Sequence, residues 1–121
     1  MKRVLIVEDQ LDIRELIRMT LEIEDLDIHE AEKGTIGIEM AKQLRPDMLL
    51  LDIMMPGHVD GFEVCRQIKS TPELASTKVI FLSAKGQESD RQLGQSLGAE
   101  AYLTKPFSPR QLLEVVTKHL N

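Results

Sequence analysis

The sequence predicts an α/β fold in which a doubly wound, parallel sheet of five strands is covered by five helices. Short apolar runs alternate along the chain with segments whose apolar residues recur at helical spacing. Three of the runs end at chemically useful side chains, namely Glu8 with Asp9, Asp52, and Lys105. With 121 residues, of which 42% are hydrophobic and 29% charged, the chain fits one domain over residues 1–121.

The first strand is predicted over residues 2–7, where an unbroken apolar run follows Lys2 and Arg3. Apolar residues then recur near helical spacing, which predicts a first helix over residues 11–23 with its apolar stripe facing the sheet. That stripe comprises Leu11, Ile13, Leu16, Ile17 and Leu21. Residues 27–31 are predicted to form a short second strand.

The middle of the chain repeats this alternation. Lys33-Gly34 is a break before a second helix, which ends at Pro46 because the residue before a proline avoids the helical region. Residues 47–52 are predicted to form the third strand. Proline and glycine predict a loop over residues 55–59, and Asp60-Gly61 opens the third helix.

A fourth strand is predicted over residues 78–83. The helix between Gly86 and Gly98 has the weakest apolar face, because Leu93 and Leu97 are its only large apolar residues. Its interior Gly94 costs about 1 kcal/mol relative to alanine.

The last strand is predicted over residues 101–104. Ser108-Pro109-Arg110-Gln111 then predicts a helix start, with an N-cap serine, a proline in the first turn and a capping-box glutamine. Leu112, Leu113, Val116 and Leu120 supply the apolar face of this fifth helix.

Right-handed crossovers and the common strand order 2-1-3-4-5 place the first and third strands side by side. Ligands of such sheets bind beyond the carboxyl ends of the strands, where the order reverses. We therefore expect Glu8, Asp9 and Asp52 to converge at this edge, with Ser83 and Lys105 at neighbouring strand ends.

Three clustered carboxylates repel one another, so a cation is their natural partner. Oxygen ligands at a partly open edge favour Mg²⁺, with Mn²⁺ as the alternative ion. The three histidines, His29, His58 and His119, are scattered and lack ligand spacing. A carboxylate can also act as a nucleophile and form an aspartyl phosphate, for which Lys105 would supply a neutralising charge.

These residues resemble the receiver domains of two-component response regulators. The resemblance covers essentially the whole chain and implies a flavodoxin-like fold similar to that of chemotaxis regulators. It is carried by residues that stand in the family's order, which are Glu8-Asp9, Asp52 with Met55-Pro56, Asp60-Gly61, Ser83-Ala84 and Lys105-Pro106.

The resemblance implies a role for each site residue. Asp52 would be the phosphoacceptor, Glu8 and Asp9 the acidic pair that holds Mg²⁺ together with Asp52, and Met54 the donor of a backbone carbonyl ligand. Lys105 would pair with the phosphate and precede a cis proline.

Further roles follow from the same resemblance. Ser83, with Ala84 beside it, would close on the phosphate, and Tyr102 would be the switch aromatic that rotates between outward and inward positions. Met54 and Lys85, each two residues beyond a site residue, would tune the lifetime of the phosphate. One departure is a loop with three residues, Gly57-His58-Val59, where the family has two.

Taken singly, each of these residues has an ordinary structural explanation. Glu8 and Asp9 are typical of a helix N-terminus, Ser83 of a turn, and Tyr102 of strand packing. Their joint occurrence at successive strand ends favours the phosphoacceptor site.

Composition limits the classes of function that the chain can have. Fifteen basic against twenty acidic residues give a net charge of −5 without a basic run, which disfavours direct nucleic-acid binding. No apolar stretch approaches the roughly 20 residues needed to cross a membrane, so we expect a cytoplasmic protein. The single cysteine, Cys65, lies among apolar residues and is expected to be buried and inert.

The predicted function is a phosphorylation-controlled switch, not an enzyme beyond its own phosphorylation and slow dephosphorylation. Its phosphodonor would be a sensor histidine kinase or a histidine phosphotransfer protein. Its output would pass to a downstream protein through the fourth helix, fifth strand and fifth helix, with a phosphorylation-dependent homodimer as another outcome. Because no linker follows the last helix, a stand-alone receiver is expected in preference to a fragment of a larger regulator.

The sequence leaves three alternative functions. A Mg²⁺-dependent phosphatase of the haloacid dehalogenase type needs an acid two residues after its nucleophile, where this chain has Met54. A flavodoxin or Rossmann nucleotide-binding module needs a glycine-rich loop, where this chain has residues 8–12 with three acids. A phosphorylation-inert pseudo-receiver would normally have lost one of the site residues.

Overall fold

The structure is a computed structural model that describes residues 1–55, 57, 59–84 and 88–120. Its strands are β1 (Lys2–Val7), β2 (Leu26–Ala31), β3 (Met48–Asp52), β4 (Lys78–Ser83) and β5 (Ala101–Thr104). Its helices are α1 (Leu11–Leu21), α2 (Gly34–Leu44), α3 (Gly61–Ser70), α4 (Glu88–Ser96) and α5 (Pro109–Leu120). A short 3-10 helix that the sequence did not predict, Pro72–Leu74, precedes β4.

All strand pairs are parallel and the order is β2-β1-β3-β4-β5, which confirms the predicted topology. Val7 lies beside Leu51, and Asp52 lies beside Leu82. The carboxyl ends of the three central strands are therefore level with one another at one edge of the sheet.

Alternate residues of the central strands face two separate apolar layers, as expected for a sheet covered on both sides. One layer packs β1, β3 and β4 against α2 and α3, and the other packs them against α1 and α5. Cys65 is fully buried in the first layer, and burial raises the pKa of its thiol to about 11. The prediction that this cysteine is buried is confirmed, and its raised pKa supports the expectation that it is inert.

The predicted apolar face of α1 is only partly right. Ile17 and Leu21 are fully buried and Ile13 is half-buried, whereas Leu11 is 57% exposed and Leu16 is 40% exposed. The reason is helical geometry: 13, 17 and 21 are spaced by four residues on one face, while 11 and 16 lie to either side of it. Leu11 and Leu16 therefore do not face the sheet.

The fourth helix has the sparse apolar anchoring that the sequence predicts. Leu93 is 44% exposed, and Leu97 packs only partly against the core. The buried residue of α4 is Gly94, where an added Cβ would lie 2.9 Å from the Phe81 ring. The interior glycine thus lets α4 approach β4 closely.

The predicted starts of α3 and α5 are confirmed. The Asp60 carboxylate accepts a hydrogen bond from the Glu63 amide at 3.0 Å. At the start of α5 the Gln111 amide donates to the Ser108 hydroxyl at 3.1 Å, and the Ser108 amide donates to the Gln111 side chain at 2.8 Å. These bonds satisfy amides that would otherwise lack a helical partner.

Gly61 fastens the start of α3 to the end of β3. Its amide donates to the Ile53 carbonyl at 2.9 Å, and an added Cβ would lie 2.3 Å from the Asp52 carbonyl oxygen. We expect Gly61→Ala to lower the free energy of unfolding by about 3 kcal/mol, because the clash is with backbone atoms that cannot rotate away. Urea denaturation measures the loss.

The matched control is Asp60→Ala, which removes only the helix cap next door. It should cost about 1 kcal/mol. Equal losses in the two variants would show that Gly61 is needed only for starting the helix.

Within the described ranges, the structure contains no helix of the length and apolar character needed to cross a membrane.

Candidate functional site

Three carboxylates meet at the edge of the sheet where the strand order reverses. Glu8 and Asp9 directly follow β1, and Asp52 is the last residue of the adjacent β3. One ligand oxygen from each of the three lies within 4.8 Å of the others. The convergence predicted from the strand order is therefore present.

Backbone and side-chain contacts hold this acidic edge in place. The Glu8 amide donates to the Ala31 carbonyl at 3.0 Å, which ties the end of β1 to the end of β2. One Glu8 carboxylate oxygen accepts the Gln10 amide at 3.2 Å, and the other accepts the Lys105 ammonium at 2.6 Å. Glu8 is fully buried, while Asp9 remains partly accessible.

Lys105 reaches the acids from the other side of the site. It follows β5, its amide donates to the Ser83 carbonyl at 2.7 Å, and its peptide bond to Pro106 is cis, as predicted. Its ammonium also lies 3.4 Å from the Asp52 carboxylate. One ammonium thus bridges two of the three acids.

The site carries more negative charge than Lys105 can balance. Asp52 is only 4% exposed, and its burial raises the pKa of its carboxyl from 3.8 to about 7. The charge of Glu8 acts in the same direction, whereas the Lys105 ammonium opposes both. Clustered oxygen donors with surplus negative charge fit a hard divalent cation such as Mg²⁺.

Ser83 and Ala84 lie at the carboxyl end of β4. Ser83 is buried and pairs with Thr104 of β5, whereas Ala84 is exposed. Both stand beside Lys105, so the predicted phosphate-binding residues share one edge with the carboxylates. Their roles remain predictions.

Tyr102 lies in β5 between the core and α4. Its ring centroid is 6.4 Å from that of Phe81, and the Arg91 guanidinium lies 4.9 Å above the ring. Arg91 also donates to the Thr104 hydroxyl at 2.9 Å, so it links α4 to β5. The predicted rotation of Tyr102 remains a prediction.

Four positions named from the sequence lie outside the described residues: Pro56, His58, Lys85 and Gly86. Of the two lifetime candidates, only Met54 is described, and its side chain is 59% exposed two residues after Asp52. That its backbone carbonyl is a metal ligand stays a prediction.

Sequence reasoning missed Arg14. Its guanidinium donates to the carbonyl of Glu8 at 2.9 Å and lies 3.5 Å from that of Asp9. It also donates to the Glu30 carboxylate at 3.2 Å. The signal available was a basic residue beside the apolar face of α1, a position that burial normally disfavours for a charge.

Comparison with known protein families matches residues 4–117 to the sequence model of the "Response regulator receiver domain" family. The chain is also similar to the transcriptional regulatory protein ResD of Bacillus subtilis (strain 168), with 46% identity over 111 residues. That alignment covers 92% of this chain but 45% of ResD. The chain therefore spans less than half the length of this relative.

Solved structures show the same likeness. The chemotaxis response regulator CheY4 of Vibrio cholerae superposes with a TM-score of 0.92 at 28% identity, and the match covers 98% of each chain. The Mn²⁺-bound form of response regulator Rcp1 superposes with a TM-score of 0.83 at 27% identity, over 98% of this chain and 91% of that one.

Proposed function

Because this chain belongs to the response regulator receiver domain family, we propose that it is switched by Mg²⁺-dependent phosphorylation of Asp52. One observation carries this proposal: a buried aspartate lies among two further acids and beneath a lysine, at the edge where ligands of such sheets bind. Receiver domains exchange phosphoryl groups with histidine kinases or phosphotransfer proteins, and one of these would be the donor.

Glu8, Asp9 and Asp52 are the residues proposed to hold the ion, together with the Met54 backbone carbonyl. A bound Mg²⁺ would neutralise the acids and align the phosphoryl oxygens. The donor set also suits Mn²⁺, and the Mn²⁺-bound Rcp1 supports that alternative.

In the proposed transfer, a carboxylate oxygen of Asp52 attacks the phosphorus atom of a phosphohistidine. One P–O bond forms, one P–N bond breaks, and the imidazole leaves with the bonding electrons. The Lys105 ammonium, which already lies 3.4 Å from Asp52, pairs with a phosphoryl oxygen. Ser83 and Ala84 then close on the phosphate from the end of β4.

The response would reach a surface formed by α4, β5 and α5. Few apolar residues anchor α4, so displacing this helix costs little free energy. A local change at Ser83 can therefore bias the position of α4. Tyr102 would follow by turning inward. A downstream protein or a second phosphorylated copy of this chain would read the new surface, in the cytoplasm.

The rival functions are less well supported. A phosphatase of the haloacid dehalogenase type lacks its general acid, because Met54 has no proton to transfer. The family match favours neither that enzyme nor a nucleotide-binding module. The proposed function is accordingly that of a switch that retains its phosphate. Met54 and Lys85 would tune how long the phosphate lasts.

The test is incubation of the wild-type chain with acetyl phosphate and Mg²⁺, followed by intact-mass measurement over time. We expect the mass of one phosphoryl group to appear with Mg²⁺, to be absent with EDTA, and to persist for longer than a typical enzyme turnover. Absence of labelling would favour the pseudo-receiver. Rapid, repeated hydrolysis of the phosphodonor would favour the phosphatase.

A further inference from the structure

We propose that Arg14 is a positioning residue for the metal site: its guanidinium holds the backbone turn that presents the Glu8 and Asp9 carboxylates. This inference rests on the proposed function, because it concerns the same ion. It assigns a role to a residue of α1 that contacts none of the three carboxylates of the site in the hydrogen bonds described.

The geometry of Arg14 carries the first step. The guanidinium donates to the Glu8 carbonyl at 2.9 Å and lies 3.5 Å from the Asp9 carbonyl, so it spans the two consecutive residues. A planar guanidinium fixes direction as well as distance, whereas a lysine ammonium acts as a point charge. Arg14 therefore constrains the backbone from which both acids project.

Glu30 of β2 fixes Arg14 in turn. The Arg14 Nε donates to one Glu30 carboxylate oxygen at 3.2 Å, and the Arg18 Nε donates to the other at 2.5 Å. The Arg14 side chain is only 13% exposed, so its rotamer is confined. The chain of contacts thus runs from β2 through Glu30 and Arg14 to the turn after β1.

Such support matters because metal affinity depends on how well the ligands are oriented before the ion arrives. Replacing residues that orient metal ligands typically weakens binding by about 10- to 100-fold. Mg²⁺ is particularly demanding, because it requires near-ideal octahedral geometry. Of the two acids on this turn, Glu8 is fully buried and Asp9 is partly accessible.

Removing the charge of Arg14 would confuse this test, because loss of a nearby positive charge favours cation binding. The decisive variant is therefore Arg14→Lys, which keeps the charge and loses the planar fork. Arg18→Lys is the matched control: it lies on the same helix, shares Glu30, and donates to Ile28 rather than to Glu8 or Asp9.

The experiment measures the dissociation constant for Mg²⁺ alone by calorimetric titration of the full chain, without any phosphodonor. We expect Arg14→Lys to weaken Mg²⁺ binding about 10-fold and Arg18→Lys to leave it within about twofold of wild type. Unchanged binding in Arg14→Lys, or equal weakening in both variants, would overturn the inference. Failure of the wild type itself to bind Mg²⁺ would instead overturn the metal site of the proposed function.

A second measurement separates positioning from general loss of structure. The rate of labelling by acetyl phosphate is recorded against Mg²⁺ concentration for both variants. In Arg14→Lys the Mg²⁺ concentration for half-maximal rate should rise while the rate at saturating Mg²⁺ stays near that of wild type. A lower saturating rate with an unchanged Mg²⁺ requirement would contradict a positioning role.

Discussion

Asp52→Asn should abolish phosphoryl labelling and, in the absence of metal, make the fold more stable than wild type at neutral pH. The first effect follows because an amide replaces the carboxylate that is proposed to attack the phosphorus atom. The second follows because burial disfavours the charged form of the Asp52 carboxyl, and the negative charge of Glu8 adds to this effect. One substitution is thus expected to remove the function and stabilise the protein.

The stability gain should depend on pH in a definite direction. Folding raises the pKa of Asp52 from 3.8 to about 7, so the folded protein holds a proton that the unfolded chain has released between these values. The wild type therefore loses stability as pH rises through this window, and asparagine does not. The advantage of Asp52→Asn should grow across it to about 2 kcal/mol, allowing for solvent screening.

Urea denaturation in EDTA at several pH values measures the gain, and intact mass measures labelling. Asp12→Asn, at an exposed acid in the first turn of α1, is the matched control and should be labelled like wild type. Full labelling of Asp52→Asn would show that another residue is the phosphoacceptor. A stability difference that shrank with rising pH would contradict the assigned electrostatics.

Lys105→Met should lower the free energy of unfolding of the metal-free protein by about 3 kcal/mol, because it leaves buried carboxylates without their ammonium. Glu8 is fully buried and its carboxylate accepts from Lys105 at 2.6 Å. Millimolar Mg²⁺ should recover much of the loss, since a divalent cation replaces the missing charge and binds only the folded site.

Lys69→Met provides the control for Lys105. Lys69 is similarly enclosed, at 16% side-chain exposure against 13%, and pairs with Glu100 at 3.1 Å away from the acidic edge. It should also destabilise the fold, but Mg²⁺ should restore nothing. The melting temperature of each variant is measured with and without Mg²⁺. An equal rise in the two variants would contradict the assignment of the metal site.

The strand ends could be predicted from sequence because parallel sheets obey strong rules. The apolar runs of β1, β4 and β5 gave the observed bounds, and crossover handedness gave the order. Glu8, Asp9 and Asp52 were then placed together by topology alone, with no need of side-chain detail.

What the sequence could not supply depends on packing between elements. The exposure of Leu11 and Leu16 depends on how α1 is rotated about its axis against the sheet. The spacing of the apolar residues does not specify that rotation. The Arg14 contacts require both that rotation and the course of the turn after β1. The raised pKa of Asp52 depends on the depth of burial, which no spacing reveals.

The ion pair between Lys105 and Glu8 joins residues that are 97 positions apart. Contacts across such a sequence separation form slowly, because the chain loses conformational entropy on closing the loop before the contact stabilises it. A nascent chain that has not yet added β5 to the sheet has the acids but lacks the lysine. Since the proposed phosphorylation needs the Lys105 ammonium, it would also need β5 to have joined the sheet, and partly folded chains would not be phosphorylated.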